Sequence, residues 1–378
     1  MSGLRDVAKG WLTLRRRATP AQTTQPVQAT QPTPTITVRV HKMPVLTVAF
    51  FKDGRRIVTS SDKTLRIWDA VSRAFVGGPF EGHSDLVTTV AVSPDDRRIA
   101  SGGWDRAIII WDVENKQMLF EPLVKHTARV TSVCFSANGK KLASGSRDKT
   151  VIIWDAETGA ILSTLECCGP VYCVAFSPDG LKLAGTWRNI GVWGTDNIAE
   201  LLLEIDAHDK WVQSVVWSPD GQQLVSASYD NTIKFWDSSN GTHIGQPCTG
   251  HISHISSLTI SSDGYFIATA SDDKTVRLWN TKSHQHIGQP LEHTASVFCV
   301  AVSRSGDLLA SGDSDGNLRL WSIRNTLSAA FSMDPSYFAH RSEVKLGQKL
   351  YAEALSDANK VWKILVIVLT FVTIFIGH

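Results

Sequence analysis

LASGSRDKTVIIWD (142–155) sets the pattern on which the rest of the chain is built. Two apolar runs, KLAS (141–144) and TVIIW (150–154), flank the turn RDK (147–149). Upstream, ANG (137–139) separates VTSVCF (130–135) from KLAS, and downstream ETG (157–159) precedes AILSTL (160–165). Four alternating apolar runs separated by three turns predict a meandering antiparallel sheet of four strands. Such a sheet carries two apolar faces and cannot bury both by itself, so it must pack between copies of itself, and closing the ring removes the terminal faces.

The copies are present. Aligned on Trp, the units end in RIWDA at Trp68, IIWDV at Trp111, IIWDA at Trp154, GVWGT at Trp193, KFWDS at Trp236, RLWNT at Trp279 and RLWSI at Trp321, with spacings of 43, 43, 39, 43, 43 and 42. The repeat also explains why the chain holds 13 Trp. A period near 42 with Gly-His and Trp-Asp punctuation marks a propeller of four-stranded blades. On these residues the chain resembles WD40-repeat proteins over about three quarters of its length. FSPDG (176–180) and HIGQPLEH (286–293) resemble the high-consensus repeats common in filamentous fungi.

The expected fold is therefore all-β, a seven-bladed propeller over 35–326, with repeats at about 41–82, 83–125, 126–166, 167–207, 208–250, 251–292 and 293–326. ITVRV (36–40) sits where an outer strand should precede His41, while SIRNTLSAAF after Trp321 lacks the outer-strand pattern. Residues 35–40 are expected to supply the fourth strand of the last blade.

Charge narrows the function. The chain has 38 Lys/Arg and 36 Asp/Glu, and residues 1–40 hold six of the bases against Asp6 alone, leaving 32 bases and 35 acids, about −3, for the remainder. That balance lacks the basic stripe of a nucleic-acid binder, so no nucleic-acid partner is expected. Six scattered Cys and no secretory apolar stretch after Met1 point to free thiols in a reducing compartment, cytoplasmic and not secreted. No Cys or His pair stands at zinc-ligand spacing, so neither metal nor cofactor is expected.

The resemblance implies a buried hydrogen-bonded set of His, Ser/Thr, Asp and Trp in each blade. By position these are His83, Ser101, Asp105 and Trp111; His126, Ser144, Asp148 and Trp154; His208, Ser226, Asp230 and Trp236; His251, Thr269, Asp273 and Trp279; and His293, Ser311, Asp315 and Trp321. The first blade offers His41, Thr59, Asp62 and Trp68, one residue short before the Asp. Ser, His and Asp invite comparison with a hydrolase triad, but a catalytic site is needed once and this set recurs six times. No enzyme is expected. The fourth repeat departs from the pattern, with Cys167 at the His position, Gly185 at the Ser position and a shortened turn TWRNIG (186–191) without its Asp. Its network is expected to be absent. Cys173 and Cys299 share the slot of Ser132, Ser214 and Ser257 on the innermost strand, a small packed position. His284 and His286, near an outer strand, are expected to be exposed.

The resemblance also implies a contact surface on the narrow top face, at the third and fifth residues after each His and the residue before each Asp. The candidates are Leu86, Trp104, Arg129, Arg147, Tyr172, Trp211, Tyr229, His254, Asp272 and Phe298, with Trp187 and Arg188 near the same rim in the fourth blade. Exposed aromatic and Arg side chains are the usual anchors of protein interfaces.

The flanks read differently. Residues 1–34 form a disordered arm: Leu4, Val7, Trp11 and Leu14 at helical spacing among bases, then a Gln/Thr/Pro linker. The first part is either a membrane-surface helix or a frayed cationic end. Residues 341–360 have the spacing of an amphipathic helix. In the hydrophobic tail 361–378, Ile364 to Ile376 carries no charge and eleven of its thirteen residues are Ile, Leu, Val or Phe. Each such residue favours the bilayer centre by roughly 0.3–0.6 kcal/mol. Seventeen residues from Val361 reach about 26 Å as a helix against a core near 30 Å, so the tail suits a short transmembrane anchor with membrane contact through 361–378. An extra packed strand and a mistaken gene end are the alternatives. The expected function is a non-enzymatic scaffold that binds other proteins or peptides. The alternative is a substrate adaptor of a ubiquitin ligase, for which WSIR (321–324) is a degraded docking pattern.

Overall fold

In the strand Thr150–Asp155 the four central residues are all buried, so apolar character does not alternate with exposure there. A strand buried on both faces must lie between two other sheets, and the computed structural model of the chain arranges seven small sheets in that way. The structure describes residues 32–195, 200–332 and Tyr337. The N-terminal arm up to residue 31, the expected helix 341–360 and the tail 361–378 lie outside the described residues.

Each blade is an antiparallel meander running from the central channel outward. The third blade, Val130–Phe135, Lys141–Ser146, Thr150–Asp155 and Ile161–Glu166, is representative. Its turns use left-handed backbone where the chain reverses, as at Gly139 with φ +70°. The second blade has three strands, Val87–Val92, Arg98–Gly103 and Ile108–Asp112, with residues 117–123 bonded along the outer edge through Ile108–Leu123 and Trp111–Met118 bridges. The seventh blade is completed from the other end of the chain. Ile36–Arg39 pairs antiparallel with Asn317–Ser322, Ile36 opposite Leu320 and Arg39 opposite Asn317. The chain after Trp321 instead turns into the short helix Arg324–Ala330, whose Leu327 is buried with Phe331 and Tyr337 against the sixth blade.

Burial is distributed among the seams. Seven apolar clusters fall one to each pair of neighbouring blades, and each repeat's Trp belongs to the seam with the preceding blade: Trp111 with Phe51 and Phe80, Trp154 with Ala100 and Ile110. At roughly 25 cal/mol per Å² of apolar surface, these seams supply the stability that no isolated blade has.

A second device stitches the inner strands. Thr89 Oγ1 accepts from Val133 N–H (3.1 Å), Ser132 Oγ from Val174 N–H (3.1 Å), Ser214 Oγ from Leu258 N–H (3.2 Å) and Ser257 Oγ from Val300 N–H (3.4 Å), each reaching the next blade. Cys173 and Cys299 take the same slot and direct their thiols at Val215 and Val45 carbonyls. The shared position thus makes inter-blade bonds around the channel.

Candidate functional site

Antiparallel connectivity places the turn between the second and third strands on the same face as the link from one blade to the next. That face is the top, and a recurring backbone bond assembles its rim. The N–H of the residue before each Asp position donates to the carbonyl three residues after each His: Trp104 to Leu86 (2.8 Å), Arg147 to Arg129 (3.1 Å), Tyr229 to Trp211 (3.0 Å) and Asp272 to His254 (3.0 Å). The two candidate positions of each blade are neighbours for that reason.

The side chains then reach across to adjacent blades. Arg129 lies over the Trp104 ring, 4.6 Å from its centroid, and Arg147 over Tyr172 at 5.2 Å. Tyr172 packs on Trp211 with centroids 5.5 Å apart, and Tyr229 stacks on His254 at 4.3 Å. His254 faces the Asp272 carboxylate at 3.8 Å. Trp104 and Trp211 remain 44% and 42% exposed, although each is held by these contacts. Burial holds the Arg129 guanidinium below the usual arginine range, and repulsion from Arg147 adds to it. Burial likewise raises the Tyr229 phenol, with Asp272 acting in the same direction. A cavity of about 460 Å³ adjoins this rim, lined by Arg188, Asp209, Lys210, Trp211, Tyr229 and His254. Leu86 and Phe298 are half-buried, and Phe298 lines the central channel beside Tyr172 and Gln213.

Trp187 is a correction. It is 6% exposed and belongs to the seam between the third and fourth blades, not to the rim. The hairpin from Lys182–Thr186 to Ile190–Gly194 is two residues shorter than those of the second, third, fifth, sixth and seventh blades, with Thr186 opposite Ile190, so Trp187 takes a buried strand-end position. Its ring packs against Trp193 at 6.0 Å. A Cβ on Gly191 would come within 2.7 Å of both indoles, and one on Gly185 would meet Trp193 at 3.0 Å. Where the other blades hold a hydroxyl and an imidazole, this blade holds an indole pair seated on glycines. Arg188 stays exposed at the turn.

Beneath the rim lie the polar sets. In the second blade Trp111 Nε1–H donates to Ser101 Oγ (2.8 Å), which meets His83 Nε2 at 2.7 Å, while His83 Nδ1 meets Asp105 at 2.7 Å. A carboxylate only accepts, so Nδ1 carries the proton and Nε2 accepts from the hydroxyl. The same chain of bonds runs through His126, Ser144, Asp148 and Trp154, through His208, Ser226, Asp230 and Trp236, and through His251, Thr269, Asp273 and Trp279. Thr150, Thr232 and Thr275 add hydroxyl bonds to the three last carboxylates. Burial pushes the Asp148 carboxyl up, but bonds from Thr150, Thr127 and His126 outweigh it and hold it below the usual range. Burial also lowers His126 and His251 against the pull of their aspartates. In these four blades the network hydroxyl of Ser101, Ser144, Ser226 or Thr269 is fully buried and bonded to both the imidazole and the indole.

Two blades differ from expectation. In the seventh, His293 Nε2 meets Ser311 (3.0 Å) and Trp321 donates to the same hydroxyl (2.9 Å), but Asp313, not Asp315, faces the imidazole. Asp313 ends the second strand with its side chain fully buried, 3.6 Å from His293 Nδ1, while Asp315 is exposed on the turn. In the first blade His41 meets Thr59 at 2.9 Å, but Asp62 is exposed and bonds neither. The missing residue tightens the turn to Asp62-Lys63, with Ser61 opposite Thr64 and Asp62 in left-handed backbone at φ +51°.

His284 and His286 are half-buried, not exposed: His284 stacks on Phe235 at 4.1 Å and His286 packs edge-on against Trp279. All six cysteines are unpaired by disulfides, and burial pushes Cys134, Cys167 and Cys248 up to about 12, which keeps them thiols. Among the described residues no group of three His, Cys, Asp or Glu is placed to hold a metal ion, and no helix is long and apolar enough to cross a membrane.

Comparison with known proteins agrees with this architecture. A segment of the chain is 27% identical over 180 residues to the nuclear distribution protein PAC1 of Coccidioides posadasii, covering 48% of this chain and 34% of that protein. Over 95 residues it is 37% identical to telomerase protein component 1 of Mus musculus, 22% of this chain and 4% of that one. Over 77 residues it is 35% identical to the small ribosomal subunit protein RACK1y of Oryza sativa subsp. japonica, 19% of this chain and 23% of that one. The chain thus spans about a third or less of these relatives. The family model "WD domain, G-beta repeat" matches seven times, at residues 32–69, 76–112, 118–155, 159–194, 199–237, 242–280 and 285–322. Each matched unit runs from the outer edge of one blade through three strands of the next, the first beginning at the strand that closes the ring, and the chain belongs to the WD40-repeat family.

Proposed function

We propose that this chain is a non-enzymatic scaffold whose partner proteins dock on the top face, with Trp104, Arg129, Arg147, Tyr172, Trp211 and Tyr229 as anchors. The observation that carries this is the pair of large indoles left 44% and 42% in solvent yet fixed by a guanidinium and a phenol. Rigid, amphipathic side chains lose little entropy on binding and bring much area. The names of the relatives point to three unlike assemblies, which fits partner binding and not a shared reaction. The buried polar sets hold the blades together and carry no chemistry. The triple variant Trp104→Ala, Arg147→Ala, Trp211→Ala should lose partner pull-down with a melting temperature close to the parent's; retained pull-down refutes the assignment.

For the sequence beyond the propeller we propose a short tail anchor at 361–378 with the propeller facing the cytosol. Membrane fractionation with and without those residues tests it, and a full-length protein found in the supernatant refutes it. The ligase-adaptor alternative has only WSIR (321–324) behind it.

A further inference from the structure

We propose that the rim at Arg129, Arg147, Tyr172, Trp211 and Tyr229 is a groove for an extended acidic peptide, two of whose carboxylates meet the two guanidiniums. This deepens the top-face assignment and rests on it. Among the described residues no carboxylate lies within ion-pair distance of Arg129, Arg147, Arg188 or Lys210. Two of these cations are held instead by aromatic faces. Such contacts position a guanidinium without neutralising it. The mutual repulsion of Arg129 and Arg147 remains in the free protein and is relieved by an incoming anion.

The spacing selects the anion. Arg129 and Arg147 are joined backbone to backbone, but one side chain leans to Trp104 of the second blade and the other to Tyr172 of the fourth. Diverging guanidiniums suit two separate charges better than one compact phosphate. Side chains on one edge of an extended peptide recur about every 6.6 Å, at i and i+2. The cavity of about 460 Å³ next to Trp211 and Tyr229 takes a bulky apolar side chain of the same peptide, with Arg188 and Lys210 on its wall. The opposing charges of the region are Asp209, which lines the cavity, and Asp272, which faces His254. These carboxylates, and 35 acids against 32 bases outside residues 1–40, argue against a nucleic-acid backbone as the ligand.

The test is fluorescence anisotropy of the full chain with a labelled decapeptide of alternating Glu and Leu. Its Gln–Leu counterpart, a neutral decapeptide with one phosphoserine, and a 20-nucleotide oligouridine are the other probes. The Glu peptide should bind, and at least tenfold more weakly in 300 mM than in 50 mM salt. Binding should also fall at least tenfold for the Gln peptide and for the variant Arg129→Ala, Arg147→Ala, whose melting temperature should stay within about 2 °C of the parent's. If that variant melts early, Arg147→Gln on the exposed side chain replaces it, with the same loss expected at severalfold. Equal binding of Glu and Gln peptides, an unaffected variant, or preference for the phosphoserine peptide or the oligouridine overturns the proposal. Failure of the Glu peptide while the triple top-face variant still abolishes pull-down would sink the acidic ligand and leave the docking face standing. Glu-peptide binding alongside undiminished pull-down by the triple variant would do the reverse.

Discussion

Replacing Asp313 by Ala should unfold the seventh blade far more readily than replacing Asp315, although the turn SGDSDGN (311–317) offers both. The Asp313 carboxylate accepts from Asp315 N–H (3.0 Å), Asn317 N–H (3.0 Å) and Asn317 Nδ2–H (3.1 Å). It also faces His293 Nδ1 at 3.6 Å and Arg319 Nε at 3.8 Å. Its side chain is fully buried, so water cannot replace it. Bonds to a charged acceptor contribute about 1.5–3 kcal/mol each, and stripping one partner from a buried charged group costs roughly 3–5 kcal/mol after relaxation. We expect about 4 kcal/mol. For a propeller of roughly 300 residues, an unfolding entropy near 0.6 kcal/mol/K converts this to a fall of about 6–7 °C in melting temperature. Asp315→Ala removes an exposed side chain and should stay within about 0.5 kcal/mol, less than 1 °C. Asp148→Ala, which deletes four comparable bonds, serves as the reference for a full network. Calorimetry of the three variants at pH 7 settles the matter. An Asp315 variant that melts as early as the Asp313 variant, or an Asp313 variant within 1 °C of the parent, would refute the argument that burial and bond count, not position in the motif, decide the cost.

The other expectations concern packing, pH and closure. Trp187→Ala should cost about 3–5 kcal/mol through the cavity left beside Trp193, and Gly191→Ala about 1–3 kcal/mol by overpacking, both read from urea midpoints; a Trp187 variant with parental stability would return that residue to the surface. Burial first, and the nearby Arg66 charge second, lower His41 to about 4, so the folded protein holds it neutral. Its contribution is complete above the unfolded value near 6.5 and is lost as pH falls from there through about 4, close to 2 kcal/mol between pH 7 and pH 5. His41→Gln should flatten that slope in urea titrations, and an unchanged slope would exclude His41 as its source. The lowered Asp148 carboxyl has its own window: its contribution holds above about pH 4 and fades only below it. Deleting residues 1–40 should unpair Asn317–Ser322 and uncover Leu318 and Leu320, lowering the melting temperature by several degrees; an unaltered transition would show that the ring closes without Ile36–Arg39.

Much of the fold was legible in the chain because the repeat is covalent information. Strand alternation, turn residues and a constant Trp period require no knowledge of distant contacts, and a blade with two apolar faces has one economical solution, a closed ring. The outer strand missing after Trp321 and the spare strand before His41 belong to the same arithmetic. What the linear pattern could not supply is direction. Asp315 and Asp62 hold the motif's nominal place, yet burial and turn length hand the contact to Asp313 in one blade and to none in the other. Trp187 looked like a rim residue until a hairpin two residues shorter rotated it onto glycines beside Trp193. The cation–aromatic contacts of Arg129 and Arg147 join side chains of different blades, so they exist only once neighbouring blades are docked. Local pattern determined the number of blades, the strands and the candidate positions; tertiary packing decided which side chains turn inward, which pair across a seam and which remain free to meet a partner, because those outcomes depend on the space left by residues tens of positions away.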